Sequence, residues 1–382
     1  MRENSLTKSA LVIQIGAIQL AMLFGLTQDT SLAEREGALP KPVNSREDRC
    51  CQEAEKASLA ALAEAERFGP LDLRLAQSLN AVARVYFDQG RYLEAGPLLE
   101  RALSIQEKAL GPDHPNVALT LNSLAELRSA QGSYSEAESL FRRALSIKKK
   151  TSGPEHRETA LIMNNLARVY RDEGKLAEAQ ALFLQALRIL EKNLGTEHAE
   201  LVVVLNNLGS VYQDQVRNFE AEPLYRRALA IQEKTLGQYH PQVAQITNNL
   251  ATLCVDQKKY EEAESLYRRA LDVREKSLGP AHPEVATILN NLAALYSLQH
   301  RYLEAEPLYQ RALAIRNETL GPDHPDLAST LNGYAQLLRK IKRKSEASAM
   351  QARAKEILAK AARSTHQTVP VEDLDPKKSW KK

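Results

Sequence analysis

A glycine recurs every 42 residues through most of this chain. No insertion or deletion interrupts the series Gly69, Gly111, Gly153, Gly195, Gly237, Gly279 and Gly321. A fixed period of this size is typical of a stacked array of small units, not of two or three separate globular domains. We therefore divide residues 69–362 into repeats 1 to 7, each beginning at one of these glycines.

Each repeat predicts two helices. In repeat 3, an apolar stripe from Met163 to Tyr170 has the three- and four-residue spacing of an amphipathic helix. Gly174 ends this stripe, and a second one runs from Ala179 to Leu190. A single helical hairpin cannot bury both helices, so neighbouring repeats must stack. The predicted fold is an all-α solenoid of helix-turn-helix repeats.

The segment between repeats, which we call the link, reads Gly-Pro-x-His-Pro in its fullest form. Glycine suits the position after a helix, and proline suits the first turn of the next one. Six links carry a histidine, and we predict that these six are structural caps: His114, His156, His198, His240, His282 and His324. Pro97, Pro223 and Pro307 lie further into a predicted helix, which indicates a late helix start or a bend.

The order of residues within a repeat resembles the tetratricopeptide repeat. Repeat 6 shows it in Leu292, Ala293, Tyr296, Tyr302, Ala305, Tyr309 and Ala312. The 42-residue length is similar to the repeats of kinesin light chains and their bacterial relatives. This resemblance implies a superhelical solenoid that binds peptides in a concave groove. Residues 34–68 are too short and alanine-rich for the coiled coil of a motor subunit.

An asparagine stands eleven residues after each repeat glycine. These row asparagines are Asn80, Asn122, Asn164, Asn206, Asn248, Asn290 and Asn332. The resemblance places them on the first helix, facing the groove, where an amide can both donate to and accept from a peptide backbone. The alternative is that they join neighbouring helices. Either role would explain a poor helix former in mid-helix seven times.

Residues four and seven after each row asparagine share its helical stripe and differ between repeats. Arg84, Arg168 and Arg171 are among them, and they indicate a peptide partner with an acidic patch because arginine pairs well with carboxylates. The alternative is that these residues form a solvated helix face.

The two ends of the chain differ from the repeats. Residues 10–26 are uncharged and precede Ser31-Leu32-Ala33, which predicts a signal peptide over residues 1–33 and export to the periplasm or outside the cell. An uncleaved membrane anchor and a buried soluble helix are the alternatives. Residues 34–68 are predicted as a linker and N-terminal capping helix, and residues 363–382 as a basic disordered tail.

The three cysteines are too few for a disulfide framework. Cys254 replaces a tyrosine found in other repeats and is predicted to be buried and inert. Cys50 and Cys51 are adjacent and could crosslink two exported chains; they could equally be free or packed in a helix.

Composition and motifs favour a non-catalytic interaction protein. The formal net charge of +3 excludes a global nucleic-acid footprint. No phosphate loop, serine-hydrolase motif or metal motif occurs, so we expect no cofactor, metal or small-molecule substrate. The sequence favours a scaffold or adaptor that binds an extended peptide or a partner protein. The alternatives are a regulatory subunit that presents a substrate to a separate enzyme, and a nucleic-acid binder that uses its basic tail.

Overall fold

The chain is described by a computed structural model over residues 46–366, with side chains for residues 52–360. It divides into two units, residues 1–52 and 53–382; the described part of the first unit is the start of α1. The helices are α1 (Arg46–Ala65), α2 (Leu73–Asp88), α3 (Tyr92–Leu110), α4 (Pro115–Ala130), α5 (Tyr134–Thr151), α6 (Arg157–Asp172), α7 (Leu176–Leu194), α8 (Leu201–Asp214), α9 (Asn218–Leu236), α10 (Pro241–Asp256), α11 (Tyr260–Leu278), α12 (Pro283–Leu298), α13 (Tyr302–Thr319), α14 (Asp326–Lys340) and α15 (Lys344–His366). Residues 46–366 contain no strand, which confirms the all-α prediction.

Every repeat is a pair of antiparallel helices. The even-numbered helices α2 to α14 are the first helices of repeats 1 to 7, and the odd-numbered helices α3 to α15 are the second. Each second helix packs against the first helix of its own repeat and against the first helix of the next repeat, where there is one. First helices of adjacent repeats also contact one another at all six junctions, so they form one continuous layer.

Small and large side chains alternate in the space between the helices. Phe141, Phe183, Tyr225 and Tyr267 lie on second helices and are at most 2% exposed. They face alanines, or Gly209 in repeat 4, where an added Cβ would lie 3.0 Å from the Tyr225 ring. Removing one of these aromatic rings would leave a cavity across a repeat.

The links cap the first helices through their histidines. In each of the six links, histidine Nδ1 accepts a hydrogen bond from the backbone N–H two residues later, at 3.1 to 3.3 Å. In repeat 1 the same position holds Asp72, which accepts from the Arg74 N–H at 2.8 Å. This is the arrangement of an N-cap, and His114, His156, His240 and His282 are the N-cap residues of their helices, as predicted. His198 and His324 make the same hydrogen bond, but the helices after them begin later, with Glu200 and Pro325 as the N-cap residues.

The helices that contain Pro97, Pro223 and Pro307 do not start late. They begin at Tyr92, Asn218 and Tyr302, so each proline is the sixth residue of a continuous helix. The prediction of a late start is wrong. Each proline lies just beyond the first turn, so the helix loses a single backbone hydrogen bond near its end, where the loss is tolerated.

The turn inside each repeat needs one residue in the left-handed region. Gly90, Gly132 and Gly174 supply it in repeats 1 to 3, but Val216, with a φ of 60°, occupies it in repeat 4. A β-branched residue is strained in this conformation. Val216 is also 82% exposed, so its side chain gains little from packing.

We therefore expect Val216→Gly to stabilise the protein. Relief of the left-handed strain is worth roughly 1–2 kcal/mol, and the added flexibility of glycine removes part of it, which leaves about 1 kcal/mol. Urea unfolding followed by circular dichroism measures the difference. The reciprocal change Gly174→Val in repeat 3 should destabilise by a similar amount, and a neutral result in both variants would contradict the strain.

Candidate functional site on the first-helix layer

The row asparagines are joined across repeats by a ladder of amide hydrogen bonds. The residue after the row asparagine is also an asparagine in repeats 3 to 6, and we call these the second-row asparagines. Each donates its Nδ2–H to the Oδ1 of the row asparagine in the preceding repeat: Asn165 to Asn122 at 3.1 Å, Asn207 to Asn164 at 3.1 Å, Asn249 to Asn206 at 2.9 Å and Asn291 to Asn248 at 3.1 Å. The amides therefore do join neighbouring repeats, which was the second of the two roles considered from the sequence.

The ladder ends where the second row ends. Repeats 2 and 7 have Ser123 and Gly333 in place of a second-row asparagine, and the acceptors that would face them, Asn80 Oδ1 and Asn290 Oδ1, are buried without a partner. An added Cβ at Gly333 would lie 2.9 Å from the Tyr309 ring, so the aromatic ring excludes an asparagine there. The two unpaired oxygens mark the limits of the ladder.

Half of the hydrogen-bonding capacity of the amides is not used by the ladder. Asn206 and Asn248 donate no hydrogen bond from Nδ2 to any described residue, and Oδ1 of Asn207 and of Asn249 accepts none. These four side chains are half-buried and lie on the first helices. In repeats 4 and 5 the ladder thus leaves about one donor and one acceptor per repeat, whereas Asn122 and Asn164 in repeats 2 and 3 donate to Glu126 and Asn165. We call the surface that carries these groups the first-helix face: the solvent side of the row asparagines and of the residues three before and four, seven and eight after them.

Two of the three predicted arginines are already paired with carboxylates. Arg84 lies 3.0 Å from Asp88 and 3.6 Å from Glu126, and Arg171 lies 2.6 Å from Asp214 of the next repeat. Arg168 is exposed and forms no ion pair within the described part of the chain. Contact between these arginines, or the row asparagines, and a peptide stays a prediction.

Some of the residues that vary between repeats do not face solvent. Ser210 is 8% exposed, and its hydroxyl lies 2.9 Å from the Tyr225 hydroxyl. Thr252 and Tyr267 repeat this contact at 2.9 Å. In repeats 2 and 3, where the aromatic residue is a phenylalanine, the position of Ser210 holds Glu126 or Arg168. The residue at this position therefore depends on the aromatic side chain that it meets on the second helix, and not only on its exposure to solvent.

Acidic side chains line the edge of the first-helix face next to the turns. Asp172, Asp214 and Asp256 end the first helices of repeats 3 to 5, and Lys340 occupies this position in repeat 7. Burial raises the pKa of Asp172, against the opposing charges of Arg168 and Arg171. At this edge the residue that ends the first helix is therefore acidic in repeats 3 to 5 and basic in repeat 7.

A second set of polar residues was not identified from the sequence. One position near the end of the second helix, apolar in repeats 3 and 7, holds the buried side chains of Gln106, Lys148, Gln232, Arg274 and Arg316. They bond to the start of the next first helix: Lys148 to Glu158 at 2.7 Å, Gln232 to Gln242 at 2.6 Å and Arg274 to Glu284 at 2.7 Å. The sequence signal that could have identified this set is a polar residue within the apolar stripe of a second helix.

The remaining predictions concern cysteines, metals and the chain ends. Cys254 is fully buried, as predicted, and burial raises the pKa of its thiol to about 11. Between residues 46 and 366, no three His, Cys, Asp or Glu side chains are placed to hold a metal ion. No helix in that range has the length and hydropathy of a membrane span. The side chains of Cys50 and Cys51, the signal segment and residues 367–382 lie outside the described part.

The helix pairs, the inter-repeat bonds and the continuous first-helix layer define a helical-repeat solenoid. The family model "Tetratricopeptide repeat" matches residues 74–150, 136–192, 158–234, 200–276, 243–316 and 284–360. The chain belongs to the tetratricopeptide repeat family, which confirms the resemblance. No curated protein sequence matches it.

Solved structures with a similar fold are helical-repeat proteins. BtubC (BKLC) from P. vanneervenii is 25% identical, with a TM-score of 0.52, over 60% of this chain and 92% of that one. A putative kinesin light chain from Podosopora anserina with nearly identical TPR-like repeats is 31% identical over 55% and 98% of the two chains, with a TM-score of 0.46. The Rap conjugation gene regulator of plasmid pLS20, solved with the Phr* peptide, is 17% identical over 77% of each chain, with a TM-score of 0.58, and shares the fold.

Proposed function

We propose that this chain is a non-catalytic scaffold or adaptor that binds an extended peptide or partner segment along the first-helix face. The observation that carries the proposal is the unused half of the amide ladder. Asn206 and Asn248 offer donors, and Asn207 and Asn249 offer acceptors, none of which has a partner in the described chain. These groups are what an extended backbone needs on both of its hydrogen-bonding sides.

The spacing of the repeats fits an extended chain. Packed helices lie about 8–10 Å apart, and an extended peptide rises about 3.3 Å per residue, so each repeat would meet the peptide about every third residue. Contacts of this kind hold the backbone and leave recognition of side chains to the residues that vary between repeats. Amides neither titrate nor act as nucleophiles near neutral pH, which supports binding over catalysis at this face.

The test must separate peptide binding from the joining of repeats. Replacing Asn206 and Asn248 by aspartate keeps the Oδ1 acceptors that the ladder uses, removes the unused Nδ2–H donors and adds a negative charge at each position. We expect the double aspartate variant to melt like the parent and to bind a degenerate pool of acetylated, amidated decapeptides at least tenfold more weakly. Binding is measured by fluorescence anisotropy of the labelled pool.

Two controls accompany this variant. Asn317→Asp adds the same charge on a second helix, where Oδ1 accepts from Arg353, and should leave binding unchanged. Asn206→Ala with Asn248→Ala breaks the ladder and should lower the melting temperature. A stable double aspartate variant that binds the pool as well as the parent does would contradict the proposal.

We further propose that the first 33 residues export the repeats. Uncharged residues 10–26 after Arg2 and Lys8, followed by small residues around position 33, support this proposal. Expression of the full chain in a host with a general secretion pathway, followed by N-terminal sequencing of the mature protein, tests it. Recovery of uncleaved protein in the soluble cytoplasmic fraction would contradict export.

A further inference from the structure

Aliphatic side chains replace polar ones at one position of the first-helix face. In repeats 2 to 4, the residue three before the row asparagine is Leu119, Leu161 or Val203. The other repeats have a polar side chain at this position: Gln77, Gln245, Thr287 and Ser329. The three helices that carry the aliphatic residues contact one another in sequence. The side chains therefore form a row across adjacent helices, which we call the aliphatic row.

The aliphatic row faces solvent beside the unused amides. Leu119 is 51% exposed and Val203 is 56% exposed, and Leu161, in the repeat between them, is half-buried. Isolated exposed hydrophobic residues are ordinary, but a group of them on adjacent helices is typical of a binding surface. Val203 lies three residues before Asn206, which is about one turn, or roughly 5 Å along the helix. A ligand held by the Asn206 amide would therefore reach the row.

The spacing of the row determines which peptide conformation can meet all three side chains. Packed helices lie about 8–10 Å apart, which is about three residues of an extended peptide. In a β-strand, side chains alternate between two sides, so residues three apart point in opposite directions. In a polyproline II helix, three residues make one turn of about 9 Å, so residues three apart point in the same direction. Only polyproline II therefore presents a side chain to every member of the row.

The unused amide groups repeat with the same period. Asn206 and Asn248 offer the same donor on successive repeats, and Asn207 and Asn249 offer the same acceptor. The backbone groups of a β-strand also alternate between sides, so a strand would turn them toward one repeat and away from the next. A polyproline II helix makes no internal hydrogen bonds and turns the same backbone groups toward every repeat. Two features of the face thus match a ligand with a period of three residues.

We propose that the first-helix face of repeats 2 to 5 binds a polyproline II segment that carries an aliphatic residue at every third position. The aliphatic residues contact Leu119, Leu161 and Val203, and the backbone bonds to the amides of repeats 4 and 5. This inference rests on the proposed peptide-binding function and specifies the conformation and the sequence period of the peptide. A proline-rich segment holds this conformation before binding, so it loses little conformational entropy when it binds.

Two dodecapeptides of identical composition distinguish this ligand from a β-strand. The first has Leu-Pro-Gln three times followed by Gln-Pro-Gln, and the second has the same residues with its leucines at every second position from the start. Both are acetylated, amidated and fluorescently labelled, so neither carries a carboxylate. We expect the full chain to bind the first peptide at least tenfold more tightly in fluorescence anisotropy, because only its leucines can all meet the aliphatic row.

The aliphatic row is tested by a substitution that the array already contains. Leu119→Gln with Val203→Gln places at these sites the residue that repeat 5 has, and both sites are exposed, so the melting temperature should stay unchanged. The variant should bind the first peptide at least tenfold more weakly and lose its preference for that peptide. Leu93→Gln with Leu303→Gln is the matched control, because these leucines are 85% and 92% exposed on second helices. The control should bind like the parent.

A gain of binding tests the period directly. Gln245→Leu extends the aliphatic row by one repeat, and a third dodecapeptide, with Leu-Pro-Gln four times, supplies a fourth leucine. In the parent, the fourth leucine meets Gln245 or Gln77 and should change the affinity less than twofold. In the variant it meets a leucine and should tighten binding at least threefold, because apolar surface becomes buried.

The outcomes separate this inference from the proposed function, with the degenerate decapeptide pool as the reference ligand. If the pool binds and the two isomeric dodecapeptides bind equally, or the second binds more tightly, the polyproline II ligand is overturned and the proposed function stands. Unchanged binding of the first peptide by the double glutamine variant would overturn the aliphatic row. Binding of neither the pool nor any dodecapeptide would overturn the proposed function, and this inference with it.

Discussion

Acidification from about pH 7.5 to about pH 5.5 is expected to destabilise the protein by about 1 kcal/mol through the loss of one helix cap, that of His240. The ring of His240 accepts a hydrogen bond through Nδ1 from the backbone N–H of Gln242, and a protonated ring has no acceptor. A protonated ring also places a cation at the positive end of a helix.

His240 shows the sign of this effect most directly. Burial, followed by the charge of Arg274, lowers its pKa in the folded protein. The folded state therefore binds fewer protons than the unfolded state, and the contribution of His240 is complete above the unfolded pKa and is lost as the pH falls through the folded one. The residue that donates to His240 is Gln242, so no carboxylate at that position attracts the protonated ring and offsets the loss.

Repeat 1 supplies the matched control for this prediction. Asp72 occupies the capping position there, and its hydrogen bonds with Arg74 lower the pKa of its carboxyl to about 2, so it stays an ionised acceptor over this range. Replacing His240 by aspartate should therefore remove the acid-induced loss at this link between about pH 7.5 and 5.5. If parent and variant lose the same number of degrees over this range, protonation of His240 does not affect stability.

Removing one partner of the ion pair between Lys148 and Glu158 is expected to lower the stability of the protein by an amount that depends strongly on which partner is removed. Lys148 is 3% exposed, whereas the Glu158 side chain is 43% exposed. Glu158→Gln leaves a buried ammonium without its carboxylate, which should cost about 3 kcal/mol of unfolding free energy. Lys148→Leu leaves a carboxylate that water can solvate and should cost much less.

Repeat 3 shows that the site accepts a leucine. Leu190 occupies the position of Lys148 and is fully buried, and Glu200 pairs there with Arg157 instead. The double variant Lys148→Leu with Glu158→Gln should therefore recover most of the stability lost in Glu158→Gln. Urea unfolding of the four proteins gives the cycle, and equal losses in the two single variants would show that water reaches Lys148.

The 42-residue period was sufficient to predict the helix pairs, the link caps and the stacking, because each depends on local spacing and on one residue type at a fixed place. The role of the row asparagines was not decided by the sequence. Asn206 lies where the first-helix face meets the next repeat, so the helical period is compatible with contact to a peptide and with contact to the next repeat. Only the position of Asn249 shows that the Oδ1 of Asn206 bonds to the next repeat. The pairing of Arg171 with Asp214 was not visible from the sequence for a related reason, since the carboxylate lies 43 residues away.

The absence of a carboxylate partner for Arg316 among the described residues could not have been recognised from the sequence. The residue ten positions after Arg316 is Asp326, one methylene shorter than the glutamate ten positions after Arg274, so the effect depends on reach, not on residue type. The non-glycine residues in the left-handed turn position, such as Val216, were likewise invisible, because the turn geometry imposes them after the helices have packed.

The amide ladder also bears on how an array of this kind can change in length. Every one of its bonds joins residues 43 positions apart, so the deletion or duplication of one whole repeat within the ladder brings together amides that already match. The gain or loss of one whole repeat within the ladder would therefore preserve the amide contacts on both sides of the change. The number of repeats can be adjusted in evolution without new amide contacts at the junctions.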